Sequence, residues 1–233
     1  MAWETFGSTT YAARTNTTIT APASIADGDI LLMEFVRYGT AAPTFPAGWT
    51  IVTDFPYQYT DDTLLDVWWL WKRASGESGN YTITHSSAST QGWIGRASGR
   101  IATGDPVAVK SFTENTDFTT TLTAPTITTP VDDCDIAWLG CGYDAINGST
   151  PPTGTTPTFT ERLDGVLVYV ATGTLASAGA TGAKAISNPS TSDSVAGMIA
   201  LLPVVAGGAD QEPSLVGGKL VSGSLLLKHM VGN

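Results

Sequence analysis

The chain has 233 residues and a mass of 24.2 kDa, enough for one large β domain or two small ones. Charged residues make up only 14%, and the formal net charge is −10, from 11 Lys plus Arg against 21 Asp plus Glu. An acidic surface with no basic cluster excludes nucleic acid, whose phosphates need a positive patch, and on the same grounds an anionic membrane. Thr, Ser, Gly and Pro replace the missing charge. That composition suits pleated sheet and turns and disfavours helix.

In chain order, Met1-Ala2-Trp3-Glu4 shows no basic region followed by an apolar run, so no secretion signal is expected. Residues 1–20 read as a polar lead-in and a first strand at Thr17–Thr20. Asp27-Gly28-Asp29 makes a turn, with Gly supplying the positive φ. Ile30–Val36 follows as a strand apolar on both faces, which places it inside a sandwich. The loop Arg37–Pro46 delivers a second short strand at Gly48–Val52. A polar loop spans Tyr57–Asp62.

Leu64–Lys72, LLDVWWLWK, is the most aromatic strand. Period-two alternation puts Val67, Trp69 and Trp71 on one face and Trp68, Leu70 and Lys72 on the other. Both faces need cover, or one becomes a sticky patch. Tyr81–Thr84 and Gly92–Ile101 read as two further strands, and Asp105-Pro106-Val107 closes the first half.

The second half repeats this order. Thr121–Pro125 echoes Thr18–Pro22, and Cys134-Asp135-Ile136 echoes Gly28-Asp29-Ile30. Phe159–Leu163 echoes Gly48–Val52, and Val166–Val170 stands for the Trp strand. Ala185–Ser187 and Ser194–Leu202 answer the last two strands. Thr20 to Thr123 and Ile83 to Ile186 are each 103 residues apart. The expectation is an all-β, two-sheet antiparallel β-sandwich, jelly-roll-like, built from two related halves at about 17–107 and 120–204 within a domain 1–205. Two copies are too few for a solenoid.

Cys134 and Cys141 lie in one extended segment, so their Cα atoms are roughly 23 Å apart at about 3.3 Å per residue. They cannot pair, and each reads as a small buried hydrophobe. Met198–Ala206 is apolar but too short for a membrane span, and Pro203 interrupts it. The expectation is a soluble protein made in a reducing cytoplasm.

Residues 206–213 read as a linker, and 214–233 changes character. The tail reads in fives, with apolar pairs Leu215 and Val216, Leu220 and Val221, Leu225 and Leu226, and Met230 and Val231. It has too few residues to bury these pairs itself, so it is expected to dock or assemble.

No catalytic constellation emerges. His85 and Ser86 are neighbours in a strand and point to opposite faces, and no G-x-S-x-G elbow is present. Zinc fails on ligand count. Asp27, Asp29, Asp61, Asp62, Asp132, Asp133 and Asp135 sit at turns, which explains them and still leaves a loop calcium open. No other cofactor is indicated. Tyr57 and Tyr59 beside Asp61 and Asp62 offer ring faces and acceptors to a glycan; capping of the sandwich core explains the tyrosines equally.

The ordered pieces Asp27–Leu32, Pro46–Thr50, the aromatic strand ending Lys72–Ser75, Asp105–Val107, Ala178–Ala183 and Ile199–Pro203 resemble a group of tailed-bacteriophage virion proteins over roughly residues 17–204. That resemblance implies a β-sandwich on a phage particle, as a capsid decoration protein, head fibre or tail component. It carries no catalytic residues. The expected location is the virion, after synthesis in the bacterial host cytoplasm. The expected partners are other virion proteins and copies of the chain itself, with a trimer favoured. The alternative is an adhesin or receptor-binding module for a host-surface glycan.

Overall fold

The structure is a computed structural model, and it describes residues 3–39, 41–58, 65–115, 120–143, 146–154, 156–187 and 194–204. The described residues form fifteen strands and no helix. The first half contains β1 (Trp3–Ile19), β2 (Ile30–Tyr38), β3 (Thr50–Ile51), β4 (Tyr57–Gln58), β5 (Leu65–Arg73) and β6 (Tyr81–Ala97). The second contains β7 (Val107–Asn115), β8 (Thr121–Ala124), β9 (Thr128–Thr129), β10 (Cys134–Gly142) and β11 (Thr160–Asp164). It ends with β12 (Val168–Leu175), β13 (Gly179–Ala180), β14 (Lys184–Ser187) and β15 (Ser194–Leu201).

The protein is an all-β sandwich of two main antiparallel sheets. One has the order β1-β6-β2-β5-β3, with β4 also on β5; the other has the order β11-β12-β10-β15-β7. Read from the opposite edge, the second order is β7-β15-β10-β12-β11, strand for strand the counterpart of the first. Register corrects the sequence echo by one residue: Ile30 pairs with Arg73 and Ala97, and its counterpart is Asp135, which pairs with Thr174 and Leu201, whereas Ile136 faces the outer layer. Across the interface β1 faces β11, since Arg162 stacks 4.6 Å over the Phe6 ring. Gln91 on β6 faces β12, accepting from the Leu167 and Val168 amides at 2.6 and 3.3 Å. Trp69 on β5 faces β7 through Phe112, with ring centres 6.3 Å apart. The two orders therefore run in opposite senses, as a twofold rotation about an axis along the strands would place them.

Three apolar layers result. The central one joins the sheets through Leu32, Val36, Trp69 and Trp93 on one side and Leu139, Val170 and Ile199 on the other. The second lies on the outer face of the first sheet, where Leu31, Met33, Phe35 and Trp68 meet Ile19 and Ile83. The third lies on the outer face of the second sheet, where Ile136, Trp138 and Met198 meet Leu122 and Ile186. The aromatic strand is thus covered on both faces, with Trp69 in the central layer and Trp68 and Leu70 in the outer one. Burial of both faces explains why β2, β10 and β15 read as nearly continuous apolar runs, interrupted by Glu34, Arg37 and Asp135.

The outer covers come from strands that turn back. The reading of residues 1–16 as a lead-in is corrected: β1 begins at Trp3 and pairs with β6 throughout, with register shifts near Thr9/Ala12 and Arg14/Asn16. The Thr20 carbonyl then lies against Gly7, where any Cβ would collide with it. The two strands read at Tyr81–Thr84 and Gly92–Ile101 are one strand, β6. In the second half the corresponding ribbon is broken, as β7 with β15 and β8 with β14.

Cys134 and Cys141 are buried free thiols in β10. Burial raises both thiols, Cys141 strongly, with the Glu34 carboxyl adding to the shift.

Candidate functional site: the loop end of the sandwich

Strand directions give the molecule two unlike ends. Tyr38 pairs with Leu65, and Gly142 pairs with Ser194, which pairs with Asn115, so these residues share one end. At the other end lie Ile30, Arg73, Ala97, Val107 and Leu201, together with Trp3, the start of β1, which pairs with Ala97. Val204, where the described chain stops, is held there by its amide on the Gly99 carbonyl at 3.0 Å. The first is the loop end and the second the tail end.

Three tyrosines gather at the loop end. Tyr38 closes β2, and its ring meets Tyr143 edge-on with centres 5.1 Å apart. These two occupy equivalent positions in the two halves, so they meet where the twofold relation brings β2 and β10 together. Tyr143 is exposed. The sequence reading did not single out this pair; its signal was the repeat itself, Tyr38-Gly39 ending one apolar run and Tyr143 ending the other.

Tyr57, expected as a glycan contact, is half-buried. Its ring packs edge-on against Phe112, 5.3 Å between centres, and its hydroxyl donates to Glu114. Burial and the Glu114 carboxylate push the phenol up to about 12. Tyr57 caps the central layer while standing at the loop end. Tyr59, Asp61 and Asp62 lie outside the described residues.

On the outer face of the first sheet, near the same end, is a buried polar cluster. The Arg37 guanidinium donates to the Ala41 carbonyl and, at 2.8 Å, to Ser86 Oγ, and it lies 4.0 Å from Asp66. Burial pushes the Asp66 carboxyl up to about 6, against the pull of Arg37. His85 is buried: Nε2 lies 2.8 Å from Thr17 Oγ1 and Nδ1 lies 2.7 Å from the Ser86 carbonyl. Thr17 Oγ1 in turn bonds Thr90 Oγ1 at 2.6 Å. The histidine is tied to a structural network and does not sit on the Ser86 hydroxyl.

The turn aspartates are likewise engaged. Asp27 accepts from the Gly76 amide, Asp29 from the Ala26 amide and Arg96, and Asp132 from the Ala178 amide. Asp135 meets Arg100 at 3.2 Å and accepts from Thr174 at 2.8 Å. Among the described residues no group of three or more His, Cys, Asp or Glu side chains could hold a metal ion.

The tail end carries a shallow groove of about 440 Å³ between Pro130, Val131, Asp132, Ala178, Pro203 and Val204. The expected assembly residues Leu215, Val216, Leu220, Val221, Leu225, Leu226, Met230 and Val231, and the linker before them, lie outside the described residues. Comparison with protein-family models, characterised proteins and solved structures returned no match.

Proposed function

We propose that this chain is a non-enzymatic structural protein of a bacteriophage virion, displayed on the particle surface as a capsid decoration, head-fibre or tail component. The carrying observation is the polarity of the sandwich. Strand β1 begins at the same end where β15 leads to Val204, and the Tyr38, Tyr57 and Tyr143 loops occupy the opposite end. Such a body can be held by its tail with its loops outward. Supporting it are the low charge, the Thr-rich strands and the apolar pairs of 214–233, which cannot form a core alone. The reading includes assembly with other virion proteins and with further copies of the chain, a trimer favoured, after synthesis in the bacterial host cytoplasm. Mass spectrometry and immunogold labelling of gradient-purified particles test it. Label on the particle surface is expected; purified particles without the protein would sink the proposal.

A second reading, a module for a host-surface glycan, is favoured by the exposed Tyr143 ring against Tyr38 at the loop end. Exposed aromatic faces suit sugar rings. Glycan-array binding that disappears in Tyr143→Ala supports it, and an array without hits removes it.

A further inference from the structure

The sandwich has four sheet edges, and three are defended. β1 is broken by three register shifts. β11 has five residues, of which Glu161, Arg162 and Asp164 are charged, and a further shift. β3 has two residues. Bulges, charges and shortness are the usual means by which edges avoid pairing with other chains.

β7 differs. It runs for nine residues, VAVKSFTEN, and every one of them is half-buried. Among the described residues it pairs with β15 alone, and its only shift is at its beginning. Both of its charges are already paired within the chain: Lys110 meets the exposed Asp54 at 2.6 Å, and Glu114 accepts from Tyr57. Beside its first half lies a groove of about 300 Å³, lined by Val52, Thr53, Asp105, Val107, Val109 and Lys110.

We propose that the β7 edge accepts the segment Leu215–Leu227 of a second copy, added antiparallel as a further strand of the sheet. This deepens the assembly reading above and rests on it. Main-chain hydrogen bonds along an open edge supply affinity, and pockets for alternate side chains supply register. Charge favours the donor: residues 214–233 carry Lys219 and Lys228 and no acid, whereas all 21 acids lie in the rest of the chain.

Every ladder of this sheet is antiparallel, and for an antiparallel strand reach favours a second copy. An antiparallel donor must enter level with Asn115. The chain's own tail leaves at the other end, where the Leu202 amide bonds the Pro106 carbonyl at 2.8 Å. The nine residues of β7 span about 30 Å. Residues 205–214 reach roughly 33–36 Å when fully extended, which leaves no length to round the edge and turn back.

The test uses full-length protein carrying a photoactivatable benzophenone side chain at Ser111 of β7, with one at Tyr11 of β1 as control. Light scattering gives the mass before irradiation, and gel bands are digested and mapped afterwards. The expected result is an oligomer whose Ser111 cross-link yields a covalent dimer bearing the peptide Leu220–Lys228, at least about ten times more than from Tyr11. The same peptide in a monomer-mass band means the chain's own tail fills the edge and overturns exchange. An oligomer with no tail peptide overturns the β7 site and leaves assembly standing. A monomer overturns both.

Discussion

Trp69 and Glu34 are joined at the centre of the sandwich: the indole Nε1 donates to the carboxyl Oε1 at 3.1 Å, and both residues are buried. They are cross-strand partners in β5 and β2, and Trp93 in β6 pairs with Glu34 on its other side. Among the described residues Glu34 Oε2 has no hydrogen-bond partner. Burial raises this carboxyl well above its ordinary value, and the Trp69 bond only partly opposes it.

The sign of the pH dependence follows. A carboxyl with a raised folded pKa favours the folded state most while it is protonated in both states. That contribution fades as pH rises from the unfolded value toward the folded one, at up to about 1.4 kcal/mol per pH unit for one proton. Asp66, pushed up to about 6, adds the same sign between pH 4 and 6. Glu34→Gln is therefore expected to flatten the loss of stability as pH rises above the ordinary carboxylate range, as read by urea unfolding at a series of pH values. An unchanged slope would show that Glu34 is not the group responsible.

Gly197 faces Trp69 from the other sheet, where a Cβ would lie 2.5 Å from the indole ring and 2.6 Å from the Ser111 carbonyl. Gly197→Ala is expected to cost about 1–3 kcal/mol by overpacking. Combined with Trp69→Leu, it is expected to cost less than the sum of the two single changes, because the smaller side chain vacates the collision. Chemical denaturation of the four proteins checks this; strict additivity would contradict it.

Arg100 and Asp135 form a buried ion pair at 3.2 Å near the tail end. Burial raises the Asp135 carboxyl, and Arg100 and Thr174 draw it back. Asp135→Asn leaves the guanidinium buried without a counter-charge and is expected to cost about 3–5 kcal/mol. Replacing both, Arg100→Met with Asp135→Leu, is expected to recover most of that loss. Thermal unfolding of the wild type and the two variants reads the difference.

Cys134 and Cys141 have no exposed surface. A thiol reagent is expected to label neither in the native protein on the timescale of a free thiol, with rates lower by about 10³-fold or more, set by opening of the fold. Both should label at once in denaturant. Rapid native labelling would mean that β10 opens locally.

Much of the fold was legible because doubly buried strands announce themselves. The runs at Ile30–Val36 and Leu64–Lys72 carry apolar side chains at both parities, and both became central. β1 was not legible between Trp3 and Asn16, where Thr, Ser and Ala dominate after Trp3 and Phe6; those two rings pack on Trp93, and the rest of the strand pairs with β6 without a continuous apolar face. The continuity of β6 across Ser86–Thr90 was hidden in the same way, since hydrogen bonds among Thr17, His85 and Thr90 hold it. At the loop end, Tyr57 was visible as an aromatic beside a polar loop, whereas Tyr38 and Tyr143 come together only when the two halves fold face to face. Glu34 looked like one acid in an apolar run, and only the opposing sheet makes it a buried carboxyl of the core.

The covering of every central strand on both faces has a further effect on specificity. In a sheet with one wet face, a slip of one residue would carry the whole apolar set into water, so the alternation alone forbids it. Here a slip of β2 or β5 would exchange one dry face for another, and alternation gives little protection. Alignment must instead come from features that occur once: the Trp69 ring over Gly197, the Gln91 side-chain carbonyl on the Leu167 and Val168 amides, and the Glu34 carboxyl between two indoles. These positions act as keys in a lock otherwise made of interchangeable parts. Substitutions there should yield misaligned sandwiches, where those elsewhere in the core yield only weaker ones.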